Sequence, residues 1–186
     1  FYSKRIHKLD LVIVSHPHDD HIKGIEELIG KIPIDAIGIY PMDHEYVKNL
    51  KSLATNEKIK MIALEEGNVL KIQENLTMKV LSPAKGFSIE DQQKDVNNSS
   101  LVLRLDYYQS SFLFTGDIEE EMENQLLATR KDLKTDVLKV AHHGSDSSSS
   151  ENFIKRVHPN MCVISVGKNN TFGHPSPYTI KQLRKV

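Results

Sequence analysis

Tryptophan is absent from this 186-residue chain, and cysteine occurs once. One cysteine permits no internal disulfide, so the fold has to be held by its core, and the redox compartment stays open. Cys162 lies in the apolar stretch 161–166 and reads as a buried strand residue rather than a nucleophile. No apolar run approaches the length of a membrane span. The opening Phe1-Tyr2-Ser3-Lys4-Arg5 lacks the apolar segment of a signal peptide, and it lacks a start methionine, so we expect Phe1 not to be the native start. An excess of one charge is missing too: 24 Lys+Arg against 25 Asp+Glu give a net charge of −1. That excludes a globally basic surface, and an anionic substrate would have to be attracted locally. Apolar residues at 39% and charged residues at 26% fit one globular domain over residues 1–186.

Residues 9–15 (LDLVIVS) form a short β-branched run, which predicts a strand buried on both faces. A helix is predicted over 21–30, with Ile22, Ile25, Leu28 and Ile29 on one face. A strand at 36–40 and a helix at 43–54 follow, then strands at 60–64, 69–72 and 76–81. Residues 82–98 are polar and predict a long loop. Beyond it come a hairpin (101–105 and 111–115), a helix (118–128), and a buried strand (137–141) that ends at His142-His143. Residues 147–157 read as a loop into a helix, 161–166 as a strand, 168–176 as a Gly/Asn/Pro loop and 177–186 as a final helix. The serine run from Ser145 to Ser150 reads as a capped helix start rather than a flexible linker, because serine and aspartate satisfy free N–H groups there. The order is that of a mixed α/β chain without internal repeat.

Nine histidines are many for this length, and their positions carry the chemistry. His16-Pro17-His18-Asp19-Asp20-His21 sets four potential ligands directly after a strand. Imidazole and carboxylate suit zinc, manganese or iron. Around the turn at Pro17, His16 and His18 can project toward one metal, and Asp20 and His21 toward a second. Asp117, after the strand-glycine sequence Phe114-Thr115-Gly116, offers a carboxylate able to bridge two cations. His142 and His143 can supply a metal ligand and a group that orients a ligand or touches substrate; which is which stays open. In the loop from Gly167 to Pro175, Lys168 can hold a negative substrate, and His174 can donate a proton or bind an anion. All four segments follow predicted strands, so their ligands can gather at one edge of a sheet.

These motifs resemble the metallo-β-lactamase superfamily, whose signature is His-x-His-x-Asp-His. The nearer likeness is to its ComEC-type competence domain, through residues 15–21, 97–102, 113–117, 141–145 and 173–176. The resemblance implies a four-layer αββα sandwich. Fifteen residues precede His16, where the family fold has extra strands, so the domain is expected to lack its N-terminal strands. Asn97 and Asn98 stand where many relatives place a further histidine, about twenty residues before the bridging aspartate, and Lys23 stands where glycine is usual.

By this likeness the chain is expected to bind two divalent metal ions, zinc first and manganese as the alternative. His16, His18 and Asp117 hold one ion. Asp20, His21, Asp117 and His142 or His143 hold the other. A metal-activated hydroxide then attacks a phosphodiester, because a bound dication lowers the pKa of water from about 15.7 to near 7. Two dications, less two aspartates and a hydroxide, leave the site positive. Candidate catalytic groups are Asp20, His143, His174 and Lys168, and candidate substrate contacts are Asn97, Asn98, Lys168, Asn170 and His174. The expected substrate is single-stranded DNA, with a membrane channel domain as a partner in the parent protein. The expected location is extracytoplasmic if the likeness holds and cytoplasmic otherwise. A lactone, β-lactam or phosphocholine-ester hydrolase, a non-catalytic DNA-uptake module and a di-iron redox protein are the alternatives.

Overall fold

A computed structural model describes residues 5–87, 96–129 and 131–185. Strand β1 (Leu9–Ile13), helix α1 (Asp19–Leu28), β2 (Ile34–Ile39), α2 (Glu45–Asn56) and β3 (Lys60–Ala63) come first. The three strands form a parallel sheet in the order β1-β2-β3. Then follow β4 (Val69–Gln73), β5 (Leu76–Ser82), β6 (Val102–Tyr107) and β7 (Ser110–Phe114), helix α3 (Glu120–Ala128), β8 (Val137–Lys139), α4 (Glu151–Val157), β9 (Met161–Val163) and α5 (Pro177–Leu183). These six strands form a second sheet, ordered β4 to β9. It is antiparallel through β7 and parallel from β7 to β9.

The alternation of side chains along β5 and β6 explains the layering. Val80 and Leu103 point into the core shared with Ile37, Leu50 and Leu64 of the first sheet and its helices. Their neighbours Leu81 and Val102 point the other way, into a core built with Leu113, Leu138, Met122 and Phe153. The second core is closed by α3, α4 and α5. Two sheets therefore lie face to face with helices outside them, the sandwich that the motifs implied.

Five expectations change. Strand β1 is only half-buried, not buried on both faces. It is the outermost strand of its sheet, and Leu11 and Ile13 face an open cleft of about 410 Å³ shared with Met78, Leu103, Phe114 and Lys139. Helix α1 starts at Asp19, two residues earlier than predicted, because Asp19 and Asp20 favour the positive end of a helix. The strands predicted over 137–141 and 161–166 stop at Lys139 and Val163, where the chain turns toward the site. Cys162 is half-buried, and burial pushes its thiol pKa up. Within the expected loop 82–98, residues Asn97–Ser99 form a short 3-10 turn, and residues 88–95 lie outside the described residues.

Candidate metal centre

Four chain segments reach the site from the ends of β1, β7, β8 and β9. Beyond β1, Val14 N–H still bonds Gly38 O at 2.9 Å, and Ser15 O accepts from Leu101 N–H at 2.9 Å, which joins the two sheets below His16. His18 then caps α1 and puts Asp20 and His21 in its first turn. After β7, Thr115 Oγ1 donates to Lys139 O at 2.7 Å. Gly116 takes φ +55, and a Cβ there would stand 2.6 Å from Ser100 Cβ, so only glycine fits. Ser100 Oγ accepts from the Asp117 N–H at 3.0 Å. After β8, His142, His143 and Gly144 are all left-handed, with φ of 46, 53 and 84. His142 N–H bonds Gly116 O at 3.2 Å, which locks this turn to the Asp117 loop.

Donor atoms of Asp20, His21, Asp117 and His143 all lie within 4.8 Å of one another. His21 Nε2 is 3.2 Å and His143 Nε2 3.2 Å from Asp117 Oδ2. Asp20 Oδ2 is 3.1 Å from His143 Nε2 and 3.5 Å from His21 Nε2. Beside this group, His16 Nε2 and His18 Nδ1 face each other at 3.1 Å, and the His16 and His21 rings are 4.2 Å apart. The far nitrogens are anchored. Ser15 Oγ lies 3.2 Å from His16 Nδ1 and 3.1 Å from His21 Nδ1, and Ser165 O accepts from His143 Nδ1 at 2.8 Å. An imidazole held through Nδ1–H presents a bare Nε2 lone pair, the metal-binding form.

Electrostatics agree with that form at His16. His16 is 1% exposed, and burial, with the neighbouring His21 charge, lowers its pKa to about 3. It is a neutral imidazole at ordinary pH. Burial alone would raise the Asp117 pKa; the hydrogen bond and charge of His21, with His16 and His143, outweigh it and hold the carboxyl far below the usual range. Lys139 lines the cleft beside His21, and burial lowers its pKa against the pull of Asp117 and Asp20.

The donor set fits a divalent cation. Imidazole ligands about 2.0–2.1 Å from a tetrahedral zinc stand roughly 3.3 Å apart. The 3.1–3.5 Å separations here come close to that. Asp117 Oδ1 is buried without a hydrogen-bond partner, and a buried carboxylate oxygen needs one.

Of the two adjacent histidines, His143 joins the cluster and His142 does not. His142 Nδ1 sits 3.2 Å from Glu119 Oε1, which also accepts from Asn97 Nδ2 at 3.2 Å and Ser147 Oγ at 3.1 Å. Glu119 was not singled out from sequence; its place two residues after Asp117 was the available signal. Asn98 is buried, and its Oδ1 accepts the Glu119 N–H at 2.8 Å, so it builds the loop rather than facing a substrate. Asn170 is likewise a loop clamp: its amide bonds Gly167 O, His174 O and His174 N–H. His174 approaches His142, ring to ring at 5.8 Å, and its Nδ1 is buried without a partner. Burial, with His142 and His143, lowers its pKa. Lys168 is exposed. Ser15 and Ser100 lie inside the motif stretches 15–21 and 97–102 without a role legible from sequence, and the Ser165 carbonyl carried no signal, because each acts through another residue.

The chain belongs to the metallo-β-lactamase superfamily: the model of the Beta-lactamase superfamily domain matches residues 2–158. Its curated relatives include a competence protein and a ComE operon protein, which bears out the ComEC-type likeness. Over 98% of its length it is 35% identical to ComE operon protein 3 of Bacillus subtilis (strain 168). Over 96% it is 28% identical to Competence protein ComA of Neisseria gonorrhoeae. The chain spans 23% of the length of each of these relatives. A solved protein of Parabacteroides distasonis ATCC 8503, taken to be a metal-dependent hydrolase, superposes with a TM-score of 0.56 at 12% identity. It covers 91% of this chain and 71% of that one, and the likeness concerns the fold.

Proposed function

We propose that this domain is a metal-dependent phosphodiesterase acting on single-stranded DNA. The observation that carries the reading is the convergence of Asp20, His21, Asp117 and His143 within 4.8 Å. The DNA substrate rests on the competence relatives and on the sign of the site. Asp20, His21, Asp117 and His143 would hold one cation, and His16 and His18 a second, with Asp117 between them. Divalent ions bound there supply Lewis acidity and a water acidic enough to ionise near neutral pH.

The chain's own groups do the remaining work. Ionised Asp117 offers its carboxylate without a proton to displace. Ser15 and Ser165 fix the imidazole orientations. His142, braced by Glu119, and His174 stand at the rim, where they can donate to a phosphoryl oxygen or a leaving group. Lys168 adds an exposed cation on the loop that carries His174. On the resemblance alone we place the domain outside the cytoplasm, beside a membrane channel domain.

The test is the purified chain loaded with zinc or manganese and given single-stranded DNA, a lactone, a β-lactam and a phosphocholine ester, with metal content measured in parallel. DNA cleavage at one to two metals per chain is expected. Full activity on the lactone with intact DNA would overturn the reading. One metal or less with no turnover would make the domain a non-catalytic module.

A further inference from the structure

Phe172 is 79% exposed, the most exposed of the chain's large apolar side chains among the described residues. A lone exposed apolar residue needs no explanation by itself. Three features give this one a use. First, its loop is tied down. The Asn170 amide donates to Gly167 O at 3.0 Å and to His174 O at 2.7 Å, and accepts from His174 N–H at 3.0 Å, so the turn carrying Phe172 is closed on itself. Second, the ring lies nearly parallel to the His174 imidazole, at 16° with centroids 5.8 Å apart, within the range of offset stacking. His174 stands 5.8 Å from His142, and His142 6.4 Å from His143. Phe172 is thus the solvent-facing end of a row of rings that starts at the donor cluster. Third, Lys168 projects from the same loop and is exposed. An exposed cation and an exposed ring carried by one loop are the two elements that grip single strands without reading sequence: the cation follows the backbone, and the ring takes a base.

We propose that Phe172 is a stacking platform for the nucleobase next to the scissile phosphate, so the site selects base-bearing strands over the bare sugar-phosphate backbone. This rests on the phosphodiesterase reading for the position of the phosphate. It adds a residue that a lactone or β-lactam hydrolase would not need.

The experiment uses the zinc-loaded chain and two short phosphorothioate oligomers that resist cleavage, an oligothymidylate and an abasic strand of equal length. Because the chain has no tryptophan, F172W is a single-tryptophan reporter. Stacking on one base is worth about 1–3 kcal/mol, so F172A should bind oligothymidylate roughly 5- to 150-fold more weakly and the abasic strand as before. F172W should keep the affinity, and oligothymidylate, not the abasic strand, should quench its emission. Equal binding of both strands by the unmodified chain, no binding of either, an equal loss for both in F172A, or unquenched F172W at saturation would each overturn the proposal. The two readings separate cleanly. Base-dependent binding without cleavage of ordinary DNA sinks the phosphodiesterase and leaves the platform. Cleavage with an unchanged KM in F172A sinks the platform and leaves the phosphodiesterase.

Discussion

Replacing Ser15 by alanine tests whether one hydroxyl orients two metal-binding rings. Ser15 Oγ lies 3.2 Å from His16 Nδ1 and 3.1 Å from His21 Nδ1. A hydroxyl oxygen has two lone pairs, so it can accept from both rings and leave both Nε2 atoms bare. Alanine removes both acceptors and keeps Cβ. The Ser15 carbonyl, which accepts from Leu101 N–H at 2.9 Å, is untouched, so the link between the sheets persists. Each neutral hydrogen bond is worth about 0.5–1.5 kcal/mol, and two together about 1–3 kcal/mol, or roughly 5- to 150-fold in an equilibrium constant. That range contains the 10- to 100-fold loss of metal affinity typical when the outer partner of a ligating histidine is removed. The measurement is competition against a chromophoric zinc chelator at neutral pH. Circular dichroism and the Tm of the metal-free protein serve as controls. S15A should fold normally and bind zinc at least fivefold more weakly. Zinc affinity within twofold of the unmodified chain would refute the argument that Ser15 orients these rings.

The adjacent histidines should separate by assay: His143→Ala loses zinc by metal analysis, whereas His142→Ala keeps its zinc and loses roughly 10- to 100-fold in kcat on DNA. Gly116→Ala forces a left-handed residue and a Cβ 2.6 Å from Ser100, so it should lower Tm by several degrees or prevent soluble expression. Glu123 is fully buried and accepts from Ser149 and Ser150 N–H. Glu123→Gln turns an amide NH2 toward one of those donors and should cost about 1–3 kcal/mol in urea unfolding. Burial raises the Glu123 pKa in the fold above its ordinary 4.5. The stability contributed by the protonated acid is therefore present below pH 4.5 and lost as pH rises through the raised value. Hence the deficit of E123Q should shrink between pH 4.5 and pH 7; a deficit that grows would contradict the sign.

The strands and helices were legible because short β-branched apolar runs such as residues 9–15, and the helical spacing of Val47, Leu50 and Leu53 on α2, are written in the sequence. The ligand motifs were legible because histidine and aspartate after strand ends have few other reasons to cluster. What stayed hidden depends on contacts distant in sequence. Nothing local tells His142 from His143. The choice is made by Glu119 on one side and Ser165 on the other, 23 and 22 positions away respectively. Asn98 and Asn170 read as polar groups free for a substrate, yet tertiary hydrogen bonds consume them. Strand β1 read as doubly buried because an apolar run cannot report whether a sheet continues past it.

The serine run shows the same dependence on structure and explains why the His142–Gly144 turn holds. Three consecutive left-handed residues, two of them not glycine, cost about 1–3 kcal/mol for each strained position unless the surroundings fix them. The surroundings here are serines. Ser148 Oγ donates to Ala141 O at 3.3 Å and Ser145 O at 3.2 Å, on either side of the turn. Thr179 Oγ1 on α5 donates to Ser145 O at 2.6 Å, and Ser176 N–H bonds Gly144 O at 2.8 Å. Ser150 caps α4 by accepting from Phe153 N–H, while Glu123 takes the N–H groups of Ser149 and Ser150. A stretch with the composition of a linker is therefore the rigid backing of the turn. Side chains short enough to bond nearby backbone are what a tight, buried, strained loop requires. The position of His143 at the cluster depends on this backing as much as on its own identity.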